Sequence, residues 1–86
     1  MNVASERPYH SAQISLIFVQ NERTYKLSAI GPAHIVFRDL PADSAIEAGH
    51  GEVILKVDGQ THYWSVLLST PVLPFDVGEP IEIQAL

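Results

Sequence analysis

Residues 51–68, with the sequence GEVILKVDGQTHYWSVLL, predict two β-strands joined by a two-residue turn at Asp58 and Gly59. A type I′ turn needs positive φ at both central residues, which Asp tolerates and Gly adopts at no steric cost. The turn pairs Val57 with Gln60, and a shift of one residue would scatter the apolar side chains over both faces. The predicted apolar face consists of Val53, Leu55, Val57, Trp64, Val66 and Leu68.

This register sets Trp64 opposite Val53 on the core side of the hairpin, and we expect the indole to be nearly buried. Lys56, Thr61 and Tyr63 then share the other face. Replacing Trp64 with Ala is therefore expected to cost about 3–5 kcal/mol, the usual cost of removing a large buried aromatic side chain. On the opposite face, Tyr63→Ala should cost far less.

A second hairpin is predicted over residues 12–31, in which Asn21 and Glu22 form the turn and Gln20 pairs with Arg23. Cross-strand pairs of apolar side chains stabilise such a face. The later pairs on the apolar face are Phe18 with Tyr25, Leu16 with Leu27, and Ile14 with Ala29.

The rest of the chain continues an all-β pattern. A Gly-Pro pair ends the second strand, residues 33–39 predict a third, and residues 40–49 predict a loop or one helical turn. Three prolines within residues 69–80 predict an irregular crossing before a last strand over residues 81–86. Because two amphipathic hairpins cannot each bury an apolar face alone, we predict a six-stranded antiparallel β-barrel, with a small β-sandwich as the alternative.

The length of 86 residues is that of one domain. Residues 1–11 show little periodicity and are predicted to be a loose lead-in to a single domain over residues 12–86. The net charge of −5 and the lack of a basic run disfavour nucleic-acid binding. No apolar run approaches a membrane span and the start lacks a secretory pattern, so we expect a cytoplasmic protein that does not enter membranes.

Residues suited to catalysis or metal binding do not form a recognisable set. The four histidines are too widely spaced to give a ligand pair within one strand, and there is no Cys. His62 shares the core-side face with Trp64 whereas Glu52 lies on the other face, so an enzyme that uses His62 with Glu52 or another carboxylate is the third and weakest hypothesis. No nucleophile or phosphate-loop motif occurs. We therefore predict a non-enzymatic interaction or regulatory module without a metal or cofactor.

Apolar side chains on the nominally polar faces predict a contact surface for a protein partner or for a second copy of the chain. On the long hairpin they form a patch of Ile54, Tyr63 and Leu67, and the first hairpin has Ile17 and Val19 as further apolar residues on its polar face. Self-association as a homodimer would cover this surface.

From Tyr25 onwards, a strand leads into the Ser-x-x-Gly turn Ser28-Ala29-Ile30-Gly31, and a further strand, a proline-containing loop and a long hairpin follow. This order of elements resembles a PilZ domain. The resemblance implies a small β-barrel, and it implies binding of cyclic di-GMP where the DxSxxG and RxxxR motifs are complete. In this chain Lys26 replaces the acid of the first motif, and Arg7 has no Arg four residues away.

The resemblance implies a degenerate ligand site formed by Lys26, Ser28, Gly31 and Arg38. Binding of an anionic nucleotide such as cyclic di-GMP at this site is the alternative function. Because one Lys and one Arg do not replace a pair of bidentate arginines, we expect no binding of cyclic di-GMP.

Overall fold

A computed structural model of the chain describes residues 14–86. The predicted lead-in over residues 1–11 and the first two residues of the predicted domain lie outside the described residues. The described part contains six β-strands, a single short 3₁₀ helix (Pro74–Asp76) and no α-helix. The strands are β1 (Ile14–Gln20), β2 (Arg23–Ile30), β3 (His34–Phe37), β4 (Gly49–Val57), β5 (Gln60–Leu68) and β6 (Pro80–Ala85).

The strands close into a barrel in the order β1-β2-β3-β6-β5-β4, and every pair is antiparallel. The β1–β2 and β4–β5 hairpins contribute apolar faces that neither hairpin buries alone, and β3 and β6 complete the ring. The predicted six-stranded antiparallel barrel is thus confirmed over the sandwich. Residues 40–49 form a loop rather than a helical turn, with a bridge at Ile46.

The β4–β5 hairpin has the predicted turn and register. Asp58 and Gly59 both have positive φ, of 50° and 85°, as a type I′ turn requires. Val53 pairs with Trp64 and Lys56 pairs with Thr61. The assignment of side chains to the two faces of this hairpin is therefore correct.

The β1–β2 hairpin follows the prediction only near its turn. Gln20 pairs with Arg23, but the pairing ends where Ile17 meets Lys26. The predicted pairs Leu16 with Leu27 and Ile14 with Ala29 are wrong. A register shift between Leu27 and Ala29 directs β2 towards β3, whereas β1 continues along β4 as far as Ile14.

The barrel is closed at the end where β1 finishes. Ile46 and Val72, from two loops, are almost fully buried there and exchange backbone hydrogen bonds of 2.9 and 2.8 Å. Gln20 is also buried, and its side-chain amide donates to the carbonyl oxygen of Glu47 at 2.9 Å. The core comprises Phe18, Leu27, Ile35, Phe37, Ile46, Val53, Val66, Leu68, Val72, Ile81 and Ile83.

Candidate functional site

The opposite end of the barrel is open, because β1, β4 and β5 extend past the strands that should face them. β6 pairs with β5 only from Val66 to Leu68, so Trp64 lies beyond the end of β6. On the other side, β2 has separated from β1 beyond Ile17. A three-stranded sheet therefore projects from the ring, and its core-side face has no strand across from it within residues 14–86.

Trp64 lies on this projecting sheet, and 42% of its surface is exposed. The prediction that it is nearly buried is wrong, although the predicted register is right. Val53, its direct partner in β4, is only 3% exposed. The indole thus lies where the packed interior ends and solvent begins.

Trp64 forms part of the wall of an apolar cavity of about 450 Å³. This volume is within the range of ligand pockets, about 300–1,000 Å³. Among residues 14–86, no charged side chain lines the cavity, so burial of apolar surface is the interaction that these residues offer. The lining residues are Ile30, Gly31, Pro32, Ile35, Val53, Trp64, Val66, Ile83 and Ala85.

His62 is stacked against Trp64, with 6.4 Å between ring centroids and 21° between the ring planes. His62 pairs with Leu55, whereas Glu52 pairs with Ser65 on the outer face. The structure therefore does not bring His62 and Glu52 together. The exposed imidazole extends the aromatic surface of Trp64 towards the hairpin tip.

A second cleft, of about 430 Å³, lies where β1 and β2 separate. Lys26, Ser28 and Arg38 of the predicted degenerate ligand site all line it, and the backbone N–H of Arg38 donates to the carbonyl of Lys26 at 2.9 Å. Gly31 lines the Trp64 cavity instead. The other described residues that line it are Ile14, Ser15, Leu16, Ile17 and Leu27, so none of the lining residues within 14–86 is acidic.

The predicted partner patch is only partly contiguous. Ile54 of β4 pairs with Tyr63 of β5 and with Ile17 of β1, which forms one apolar row across the outer face. Tyr63 is 61% exposed. Leu67 pairs with His50, farther along the hairpin, and it is separated from this row by Ser65 and its partner in β4.

Sequence reasoning identified Trp64 but missed the cavity beside it. The missing information was the relative length of the strands: β6 ends at Ala85, which pairs with Val66, and so does not reach the position opposite Trp64. Ile30 and Pro32, from the end of β2 and the turn after it, complete the wall. Strand ends are set by pairing across the barrel, and no local pattern encodes that pairing.

Within residues 14–86, no group of three or more His, Asp or Glu side chains is placed to hold a metal ion. This part of the chain also contains no helix with the length and hydrophobicity needed to cross a membrane. Comparisons with protein-family models, with curated proteins and with solved structures found no match.

Proposed function

We propose that the domain is a non-enzymatic binding module that takes an apolar group of a protein partner into the cavity at the open end of its barrel. The observation that carries the proposal is the position of Trp64, a core-side aromatic that remains 42% exposed over an apolar cavity. Large aromatic side chains beside a pocket are the usual anchors of protein interfaces, because their burial contributes much of the binding free energy.

The outer face of the projecting sheet supports an interaction role as well. Ile17, Ile54 and Tyr63 form an apolar row there, so the sheet carries apolar side chains on both faces at the place where it leaves the barrel. Such two-sided apolar surface is typical of a sheet that a partner covers. A second copy of the chain is one such partner, and light scattering across a concentration series measures that association.

Trp64 is the only tryptophan of the chain, so its fluorescence reports directly on occupancy of the cavity. The probe is the dye 1-anilinonaphthalene-8-sulfonate, an anion whose aromatic rings bind apolar surfaces, added to the folded full-length chain. We expect saturable binding with energy transfer from Trp64 to the dye. Ala85→Leu places a larger side chain in the cavity wall and should abolish that binding.

The matched control is Ala48→Leu, the same enlargement at an exposed position that does not line the cavity. Dye binding that is equal in the two variants, or absent from the wild-type chain, would contradict the proposal. Far-UV circular dichroism of both variants establishes that each retains the barrel.

A second candidate function is binding of an anionic nucleotide by a PilZ-like domain. It is favoured by one observation, that Lys26, Ser28 and Arg38 line the same cleft. Isothermal titration with cyclic di-GMP tests it, and we expect no heat because the arginine pair of a complete site is missing. Low-micromolar binding that Lys26→Ala abolishes would favour this function over the first. For either function the cytoplasm is the expected location.

A further inference from the structure

The first half of β1 carries backbone groups that no other strand within residues 14–86 pairs. In a hairpin with a two-residue turn, the residues that close the turn exchange both hydrogen bonds, and the bonded pairs then recur at every second residue. Gln20 and Arg23 close this turn, so Phe18, Leu16 and Ile14 direct their N–H and C=O groups towards β2. β2 supplies a partner to Phe18 and none to the other two.

The same alternation leaves the β4 side of β1 fully paired. The residues of β1 that alternate with Ile14, Leu16 and Phe18 direct their N–H and C=O groups towards β4. Of these, Ser15 pairs with Lys56 and Ile17 pairs with Ile54. Only the β2 side of Ile14 and Leu16 is therefore open within the described chain. An open strand edge is a template for main-chain pairing with another extended segment.

The cleft beside this edge presents different chemistry on its two sides. Ile14, Leu16 and Leu27 belong to the apolar face of their strands, and Leu27 is buried. Lys26 and Arg38 are exposed, and no acidic residue of the described part of the chain lines the cleft. On a chain with net charge −5, this is a locally positive groove, which attracts carboxylates.

We infer that this cleft binds an extended acidic segment of a partner protein, which adds to β1 as a strand in the gap between β1 and β2. Because side chains alternate across a strand, such a segment places apolar side chains against Leu16 and Leu27 and carboxylates beside Lys26 and Arg38. The inference goes beyond the proposed function, since it concerns a separate surface that does not include Trp64.

A peptide segment fits the cleft better than a nucleotide does. The phosphates of a nucleotide would pair with Lys26 and Arg38 but leave the N–H and C=O of Leu16 without main-chain partners. An acidic strand would pair with the two cations and also form hydrogen bonds with the Leu16 backbone. A volume of about 430 Å³, near the lower end of the range for ligand pockets, suits a few residues of extended chain rather than a folded element.

The test uses a fluorescently labelled peptide of sequence EVEVE, blocked at both ends, titrated into the full-length chain and followed by fluorescence anisotropy. We expect EVEVE to bind at low salt. Each of two altered peptides should bind at least about tenfold more weakly, a difference of 1.4 kcal/mol. KVKVK reverses the charge, and EVEVE with methyl groups on all backbone nitrogens removes the strand-forming donors. Both comparisons use the unaltered protein, so they do not depend on the folding of a variant.

On the protein side, Lys26→Glu and Arg38→Glu should each weaken binding at least about tenfold. Arg23→Glu, the same reversal at the far end of β2, is the control and should change it little. Amide hydrogen exchange locates the peptide: protection of the Leu16 amide should rise on binding, while that of Ser15, which already pairs with β4, should not change.

Three results would overturn the inference. The first is equal binding of the methylated and unmethylated peptides, and the second is unchanged protection of the Leu16 amide in the presence of bound peptide. The third is no binding of EVEVE at about 1 mM, a concentration that detects interactions near −4 kcal/mol. Displacement of bound EVEVE by cyclic di-GMP at micromolar concentration would instead favour the nucleotide as the occupant of this cleft.

Discussion

Val53 and Trp64 are direct partners in the β4–β5 hairpin, yet Val53 is 3% exposed and Trp64 is 42% exposed. Both side chains lie on the core-side face, so the face alone does not determine burial. What differs is the cover above each residue. Val53 belongs to the packed core, whereas Trp64 lies beyond the end of β6.

Trp64→Ala should cost only about 1–2 kcal/mol, because solvent already reaches much of the indole and little buried apolar area is lost. Phe18, which is fully buried, provides the comparison, and Phe18→Ala should cost about 3–5 kcal/mol. Denaturant melts of the two variants measure the difference in free energy of unfolding. Equal costs for the two changes would show that Trp64 is covered in solution.

Gly51→Ala should destabilise the barrel by about 1–3 kcal/mol, the range for an enlargement in a packed core. A Cβ at this position would fall on the ring of Phe18 and within 3.1 Å of the Val19 carbonyl oxygen. The control is Gly31→Ala, whose Cβ would approach no closer than 3.6 Å to the His34 carbonyl. Thermal melts should show a clear loss for the first variant and little change for the second.

The Gly51→Ala prediction also has a rescue. Phe18→Leu shortens the side chain that the new methyl group meets, so the double variant should lose less stability than the sum of the two single changes. A double-mutant cycle measures this coupling between contacting residues. If the stability losses of the two single variants were strictly additive, the Phe18 ring would not be the group that requires a glycine at position 51.

Glu22→Gly should stabilise the chain by up to about 1 kcal/mol. Glu22 has φ of 65° in the β1–β2 turn, a conformation that costs L side chains about 1–2 kcal/mol. The greater freedom of Gly in the unfolded chain offsets part of the gain. Asn21→Gly, at φ 52°, should have a smaller effect because Asn adopts this region readily. Chemical denaturation compares the two, and a larger gain at Asn21 would contradict the argument.

Gln20→Met should cost about 1–3 kcal/mol by removing the amide that donates to the Glu47 carbonyl and leaving that oxygen without its partner. The change keeps a side chain of similar length. Gln84→Met, at an exposed position of β6, is the matched control and should be close to neutral. Amide exchange within residues 47–50 should accelerate in the first variant only.

Local chemistry made the two hairpins predictable from the sequence. The Asp58-Gly59 turn determines the register of β4 and β5 by itself, and the alternation of apolar residues agrees with it. The separation of β1 from β2 was not predictable in this way, because the register shift beside Ser28 arises from pairing with β3. The burial of Ile46 was missed for a similar reason, since its bridge to Val72 joins two loops that are distant in sequence.

The strand order has a consequence for how the chain could be divided. β1, β2 and β3 follow one another as neighbours, as do β4, β5 and β6, and the two halves meet along β1–β4 and β3–β6. The barrel is thus two three-stranded meanders joined by the loop between β3 and β4. We expect two fragments separated after Asp43, an exposed turn residue, to reconstitute the fold on mixing. Each half of this small barrel would then report that the other half is close by.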